Sequence, residues 1–191
     1  MNLEAFAVST GVVALGEVGD KTQLLALLLA ARYRAPWAIS CGILVATLAN
    51  HAAASALGAW LTRVVDPQWL RWGLGLSFLA VAAWMLVPDQ QDDDAAHHPA
   101  GRFGVFALTT VAFFLAEMGD KTQIATVMLA ARYDNLVLVT AGTTLGMMIA
   151  NVPAVLFGDK VLTRLPVQWV HRVAALVFAA IGLAVLADLQ L

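Results

Sequence analysis

The residues best suited to chemistry in this sequence are the polar side chains of two heptapeptides set in apolar surroundings. EVGDKTQ covers residues 17–23, and EMGDKTQ covers residues 117–123. Each heptapeptide offers carboxylate, hydroxyl and amide oxygens and contains neither cysteine nor histidine. Oxygen ligands suit hard cations such as Ca²⁺, Mn²⁺ and Mg²⁺. The two heptapeptides therefore predict a site for a hard divalent cation.

The charge of the heptapeptides predicts what such a site would exchange. An ionised side chain at membrane depth costs several kcal/mol unless something compensates it. Four carboxylates and two lysines leave a net charge of −2, which one divalent cation or two protons would neutralise. We expect the carboxylates to be both metal ligands and proton-coupling groups; they belong to Glu17, Asp20, Glu117 and Asp120.

Neighbouring polar residues are secondary candidates for ligation or charge compensation. These are Lys21, Thr22, Gln23, Lys121, Thr122, Gln123, Asn50 and Asn151. A structural role stays open for several of them, because asparagine forms interhelical hydrogen bonds and threonine bonds the preceding turn. Participation of His51, Met147 and Met148 is also left open.

On a continuous helix, the spacing within each heptapeptide would place its charges together. Glu17 and Asp20 would share one face, and Lys21 could form an ion pair with Glu17. Such a pair could be purely structural, but it does not explain why the aspartate and glutamine recur in the second copy. Gly19 and Gly119 would permit either close helix approach or local unwinding.

The composition of the chain indicates a membrane protein. Of its 191 residues, 61% are hydrophobic and 13% are charged, and the mean hydropathy is +0.79. Apolar runs of nearly twenty residues recur and predict transmembrane helices. We therefore predict an all-α polytopic protein in a lipid bilayer, with six transmembrane helices over residues 3–31, 36–61, 68–88, 103–131, 135–158 and 167–190.

The distribution of lysine and arginine predicts the orientation. With both termini outside, the inner loops carry six basic residues and the outer loops three, as expected when positive charge stays inside. The acidic linker at 88–102 would then be a solvated cytoplasmic connector. The net charge of −2 gives no basic surface for nucleic acid.

An internal repeat relates the two halves of the chain. Residues 17–33 align without gaps on residues 117–133, with 11 of 17 positions identical. Weaker matches continue, including Gly42 with Gly142 and Asn50 with Asn151. The chain is therefore predicted as two three-helix repeats, 1–87 and 103–191, joined by the linker. Because three is odd, the second repeat would be inverted, and both heptapeptides would meet near the bilayer midplane.

The heptapeptides resemble the signature E-φ-G-D-[KR]-[ST], where φ is apolar, of the Gdt-type transporter family in the second Ca²⁺/cation antiporter superfamily. EVGDKT and EMGDKT match the signature at every position. The resemblance extends over the whole chain, because the family is similar in length, in its repeats and in its acidic central loop. It implies exchange of Mn²⁺ or Ca²⁺ for protons, with Glu17, Asp20, Glu117 and Asp120 at the metal site.

The resemblance also implies a task and a location. The family includes a Golgi manganese/calcium transporter and bacterial manganese exporters, and the short linker is similar to that of compact bacterial members. This implies export of Mn²⁺ across the inner membrane, driven by protons through alternating access. We expect metal ions and protons as substrates and no resident cofactor, and we leave a homo-oligomer open.

Other functions remain open from the residues alone. An exporter of small organic cations or amino acids could share the inverted-repeat plan, although its pore should carry more aromatic and small polar side chains. An intramembrane aspartyl protease could use Asp20 and Asp120. The neighbouring glutamates and lysines suit charge compensation better, so we expect no enzyme. A passive channel would lack proton coupling.

Overall fold

The fold is known from a computed structural model that describes residues 2–87, 102–158 and 167–187. Most of the predicted linker, residues 88–101, lies outside these ranges. Within them the chain forms helices and no β-strand. The helices are α1 (Asn2–Glu17), α2 (Lys21–Tyr33), α3 (Pro36–Val64), α4 (Pro67–Trp84), α5 (Arg102–Glu117), α6 (Lys121–Tyr133), α7 (Leu136–Phe157) and α8 (Val167–Leu186).

The helix ends follow from local sequence. Pro36 and Pro67 begin α3 and α4, where the missing N–H of proline has no helical partner to lose. The helices α2 and α6 both end on a residue in the left-handed conformation, Arg34 with φ 48° and Asp134 with φ 45°. These two residues occupy equivalent positions in the sequence repeat, so both copies end this helix in the same way.

Two of the predicted spans are not continuous helices. The prediction of one helix over 3–31 was wrong, because α1 ends at Glu17 and α2 begins at Lys21. The prediction over 103–131 was wrong in the same way, because α5 and α6 are separate helices bent by 72°. The described parts of the other four predicted spans agree with α3, α4, α7 and α8 to within a few residues.

The described helices give three to four candidate membrane spans. By length and hydropathy, α3, α7 and α8 could each cross a bilayer, and the bent pair α5–α6 would make a fourth. Trp37, Trp69 and Trp169 are at least 64% exposed and lie near helix starts, as aromatic residues at a membrane interface do. The described part of the chain is thus all-helical with three to four candidate membrane spans, and its division into six spans stays a prediction.

The two copies pack against each other through equivalent glycines. The helix α3 packs on α5, and α7 packs on α1. A Cβ atom at Gly42 would lie 2.9 Å from the carbonyl oxygen of Phe106, and one at Gly142 would lie 2.6 Å from that of Phe6. Small residues let helix backbones approach this closely inside membranes. The helix α3 of the first copy therefore lies directly against α5 of the second, and α7 of the second copy lies directly against α1 of the first.

The last helices of the two copies, α4 and α8, also meet at equivalent residues. The ring centroids of Phe78 on α4 and Phe178 on α8 are 6.1 Å apart, and both side chains are buried. Residues 71–80 and 171–180 share one pattern of buried and exposed positions. The sequence repeat thus has a counterpart in reciprocal helix contacts.

Candidate metal centre

Each heptapeptide interrupts its own helix at the glycine. Gly19 has φ 79° and Gly119 has φ 77°, a left-handed conformation that glycine adopts with little strain. The backbone N–H of Gly19 donates to Oε1 of Gln23 at 2.7 Å, and that of Gly119 donates equally to Gln123. Each heptapeptide thus contains both the glycine that allows the helix break and the glutamine that holds it by a hydrogen bond. Of the two roles considered for the glycines, local unwinding is confirmed.

The aspartates begin the helices that follow the breaks. Asp20 is the N-cap of α2 and Asp120 is the N-cap of α6, both in extended backbone conformation. The N-terminus of a helix favours negative charge, because its first N–H groups point toward the cap. The prediction that Glu17, Asp20 and Lys21 share a face of one helix was wrong, because the chain is not helical between residues 17 and 21.

The carboxylates from both copies converge in the interior. Glu17, Asp20 and Asp120 each offer an oxygen within 4.8 Å of the others, and all three are at most 3% exposed. Glu117 is also fully buried. Oε1 of Glu17 and Oε1 of Glu117 have no hydrogen-bond partner among the described residues. A buried carboxylate oxygen without a donor is costly, and a bound cation would remove that cost.

The lysines compensate the carboxylates across the repeat. Nζ of Lys21 lies 3.2 Å from Oδ1 of Asp120, and Nζ of Lys121 lies 2.7 Å from Oδ1 of Asp20. Each lysine therefore pairs with the aspartate of the other copy. The alternative of a local pair between Glu17 and Lys21 loses its basis, because the helix that would align them is broken.

The threonines fix the glutamates. The hydroxyl of Thr22 donates to Oε2 of Glu17 at 2.8 Å, and that of Thr122 donates to Oε2 of Glu117 at 3.1 Å. Each bond leaves the other carboxylate oxygen without a donor in the described residues. The threonines therefore orient the glutamate carboxylates, which matters for any cation that binds between them.

The glutamines tie each break to the opposite copy. Nε2 of Gln23 donates to the carbonyl oxygen of Ala150 on α7 at 2.7 Å. Nε2 of Gln123 donates to Oδ1 of Asn50 on α3. The side-chain oxygen of Asn50 is thus engaged, whereas Oδ1 of Asn151 is buried with no partner in the described part of the chain. Of the two asparagines, Asn151 keeps an oxygen available to a ligand.

Three other candidate residues, His51, Met147 and Met148, follow or precede the asparagines in the sequence. His51 is fully buried, and neither ring nitrogen has a hydrogen-bond partner among the described residues. Sδ of Met147 accepts a hydrogen bond of 2.9 Å from Nδ2 of Asn151, so Met147 contacts a candidate ligand residue. Met148 packs against an apolar cluster. These contacts leave their participation in a metal site open.

One contact at the site was not foreseen from the sequence. Nε2 of His171 on α8 lies 2.7 Å from the carbonyl oxygen of Val18, inside the first break. The sequence places His171 opposite Arg71 in the repeat, a substitution that gives no sign of such a contact. Because Val18 is in the non-helical segment, its carbonyl would otherwise lack a helical partner.

The positive φ of the break glycines leads to a testable prediction. Gly119→Ala should lower the free energy of unfolding by about 1 kcal/mol, because alanine is strained at φ 77°, although a Cβ would meet no atom within 4 Å. Thermal unfolding in detergent would measure this. The matched control is Gly11→Ala in helix α1, which also has open space. It should be neutral or stabilising, and equal losses in both variants would contradict the prediction.

The comparisons with known proteins cover both halves of the chain. A family model described as divalent cation/proton antiporter GDT1 matches residues 5–93 and 105–190, so the gap between the two matched ranges overlaps the predicted linker at 88–102. A Vibrio cholerae protein named "Putative manganese exporter" is 47% identical over 183 residues, which are 95% of this chain and 90% of that protein.

More distant relatives carry the same family name. A GDT1-like protein from Synechocystis is 28% identical over 199 residues, with 92% of this chain and 93% of that protein covered. A GDT1-like protein from Oryza sativa subsp. indica is 26% identical over 205 residues, with 95% of this chain and 72% of that protein covered. No solved structure matches the chain.

Proposed function

The chain belongs to the GDT1 family of divalent cation/proton antiporters, and from this premise we propose that it exports Mn²⁺ from a bacterial cytoplasm in exchange for protons. The observation that carries the proposal is the crossed charge arrangement. Buried carboxylates of both copies converge, and each lysine pairs with the aspartate of the other copy. Four carboxylates with two lysines have a net charge of −2, which suits one divalent cation.

The ligands favour a hard cation. Glu17, Asp20 and Asp120 supply oxygens close enough to share one ion, and Glu117 and Asn151 supply further buried oxygens. Oxygen-rich sites suit Mn²⁺, Ca²⁺ and Mg²⁺. Mn²⁺ is the first choice because the Vibrio cholerae relative is named as a manganese exporter, and Ca²⁺ is the second.

Proton coupling follows from the same charge balance. When the metal leaves, the cluster keeps an excess of two negative charges in a region from which water is largely excluded. Binding of about two protons to the carboxylates would neutralise this excess. The metal and the protons would then compete for the same oxygens, and this competition couples outward metal movement to inward proton movement.

The proposed architecture is an inverted repeat of two three-helix units that rock against each other. The reciprocal packing of α3 on α5 and of α7 on α1 supports it. Broken helices that meet at one site are a recurring plan for such transporters. The lysine and arginine distribution supports an orientation with both termini outside and the linker in the cytoplasm.

Transport into proteoliposomes with an imposed pH gradient tests the proposal. A pH gradient that drives protons in the direction opposite to the metal should accelerate Mn²⁺ flux. A pH-sensitive dye inside the liposomes should report proton movement that accompanies this flux. Mn²⁺ should be transported faster than Ca²⁺, and Ca²⁺ faster than Mg²⁺. Metal flux without any pH change would disprove proton exchange and favour a channel.

The experiment also separates the other functions. A preference for Ca²⁺ would keep the antiporter and correct its substrate. Transport of organic cations or amino acids with no metal flux would favour the alternative exporter. An aspartyl protease is disfavoured, because Asp20 and Asp120 are each paired with a lysine instead of sharing a proton between them.

A further inference from the structure

One peptide group in the first break is held at both of its polar ends. The carbonyl oxygen of Val18 accepts a hydrogen bond from Nε2 of His171 at 2.7 Å, and the N–H of Gly19 donates to Gln23 at 2.7 Å. These two atoms belong to the same peptide bond. Because a carbonyl can only accept, the His171 ring must carry its proton on Nε2.

The two bonds come from different parts of the molecule. Gln23 belongs to the same heptapeptide as the peptide group that it binds. His171 belongs to α8, which packs on α1 from the other copy of the repeat. The His171 bond therefore ties the non-helical segment of the first copy to α8, the last helix of the second copy.

The second break has a different environment. Its equivalent peptide group joins Met118 to Gly119, and the N–H of Gly119 is held by Gln123 as in the first copy. Met118 is 58% exposed, and the residue equivalent to His171 is Arg71 on α4. The pair α8–α1 is in contact, whereas α4 packs on α6, beyond the second break. The histidine bond at the first break therefore adds to the other differences between the two copies, among them the partly exposed Lys21 and the buried Lys121.

We propose that His171 is a positioning residue for the transport site, which fixes the Val18–Gly19 peptide and through it the carboxylates of Glu17 and Asp20. This inference rests on the proposed metal transport for its functional part. The geometric part stands by itself. Glu17 directly precedes this peptide group and Asp20 directly follows it, so rotation of the peptide would displace both carboxylates.

The consequence for transport is a link between helix movement and site geometry. Any movement of α8 relative to α1 must either carry the Val18 carbonyl with it or break the bond to His171. In the first case the two carboxylates shift with α8, and in the second they lose a constraint. Both cases change how well the two residues can share one ion with Asp120.

Substitutions at His171 test the inference, because glutamine and asparagine place an amide differently. The Nε2 of glutamine can take the place of the histidine Nε2, whereas asparagine is shorter and matches Nδ1 instead. His171→Gln should therefore retain most of the Mn²⁺ transport, while His171→Asn and His171→Leu should raise the KM for Mn²⁺ by about tenfold, the effect of one lost hydrogen bond.

Hydrogen exchange of the metal-free protein provides a readout that does not depend on transport. Exchange of the amides in residues 17–23 should accelerate in His171→Asn and His171→Leu and stay slow in His171→Gln. Exchange in residues 117–123 should not change. A merely structural role would instead accelerate exchange throughout the chain and lower the melting temperature of all three variants.

Arg172→Gln is the matched control. Arg172 is the next residue on α8, is exposed and lies over the ring of Trp169, so its loss should change neither KM nor exchange at the break. Equal behaviour of the glutamine and asparagine variants, or wild-type exchange in His171→Leu, would overturn the proposal. Changed exchange at 17–23 with no metal transport in any form would retain the positioning role and reject the transport function.

Discussion

Replacing Glu17 with glutamine is expected to abolish Mn²⁺ transport while the protein still inserts and folds. Glutamine has nearly the same shape, and its carbonyl oxygen can still accept the hydrogen bond from Thr22. The change removes one charge from a buried cluster whose balance of −2 suits a divalent ion. Substituting a group that only orients a metal ligand lowers metal affinity or activity by about 10- to 100-fold. The loss of a ligand carboxylate should therefore lower transport by about 100-fold or more.

Flux in proteoliposomes measures the loss, and thermal unfolding shows its cause. Wild-type protein should melt at a higher temperature with excess Mn²⁺, because a ligand that binds only the folded state stabilises it. Glu17→Gln should lose this shift but keep its metal-free melting temperature. The control is Glu4→Gln, which changes a carboxylate of the same helix that lies outside the cluster. Wild-type flux in Glu17→Gln would reject the assignment of Glu17.

Replacing Lys121 with methionine is expected to cause the largest loss of stability. The side chain of Lys121 is fully buried, and its Nζ lies 2.7 Å from a carboxylate oxygen of Asp20. Removing one partner of a buried ion pair costs roughly 3–5 kcal/mol, because the remaining charge is left without compensation. Divalent metal should recover part of the loss, since a cation near Asp20 would replace the missing positive charge.

Lys21→Met is the matched variant at the equivalent position. The Lys21 side chain is 34% exposed and its Nζ lies 3.2 Å from Asp120, so solvent already screens this pair and its loss should be much smaller. Melting curves in detergent with and without Mn²⁺ would compare the two variants. Equal losses would contradict the different roles assigned to the two lysines, as would a Lys121→Met protein that metal does not stabilise.

Much of this architecture could be predicted because it depends on composition and repetition. Long apolar runs predicted the helices, and the two heptapeptides predicted which residues would converge. Their convergence was predicted from the repeat, because an inverted second copy places its heptapeptide at the same depth as the first. The cross-repeat pairs of Lys21 with Asp120 and of Lys121 with Asp20 are consistent with this expectation.

The helix breaks could not be predicted with the same certainty. Gly19 was compatible with both a helix and a turn, and the apolar residues on either side favoured one continuous span. The sequence does not display the bonds that hold the first break, which run from Gln23 and His171 to a single peptide group. His171 was overlooked because its contact with Val18 is made across 153 positions of the chain, and no local pattern indicates it.

Because each lysine pairs with the aspartate of the other copy, the two copies are expected to fold as one unit. A fragment ending after α4 would contain Asp20 and Lys21 but would lack Lys121 and Asp120, the groups that neutralise them. The carbonyl oxygen of Ala150 on α7, which accepts the hydrogen bond from Gln23, would be missing as well. Duplication here has not produced two independent modules. Each half is an incomplete protein whose missing charges are encoded a hundred residues away, so the whole chain must be made before either half can reach its final structure.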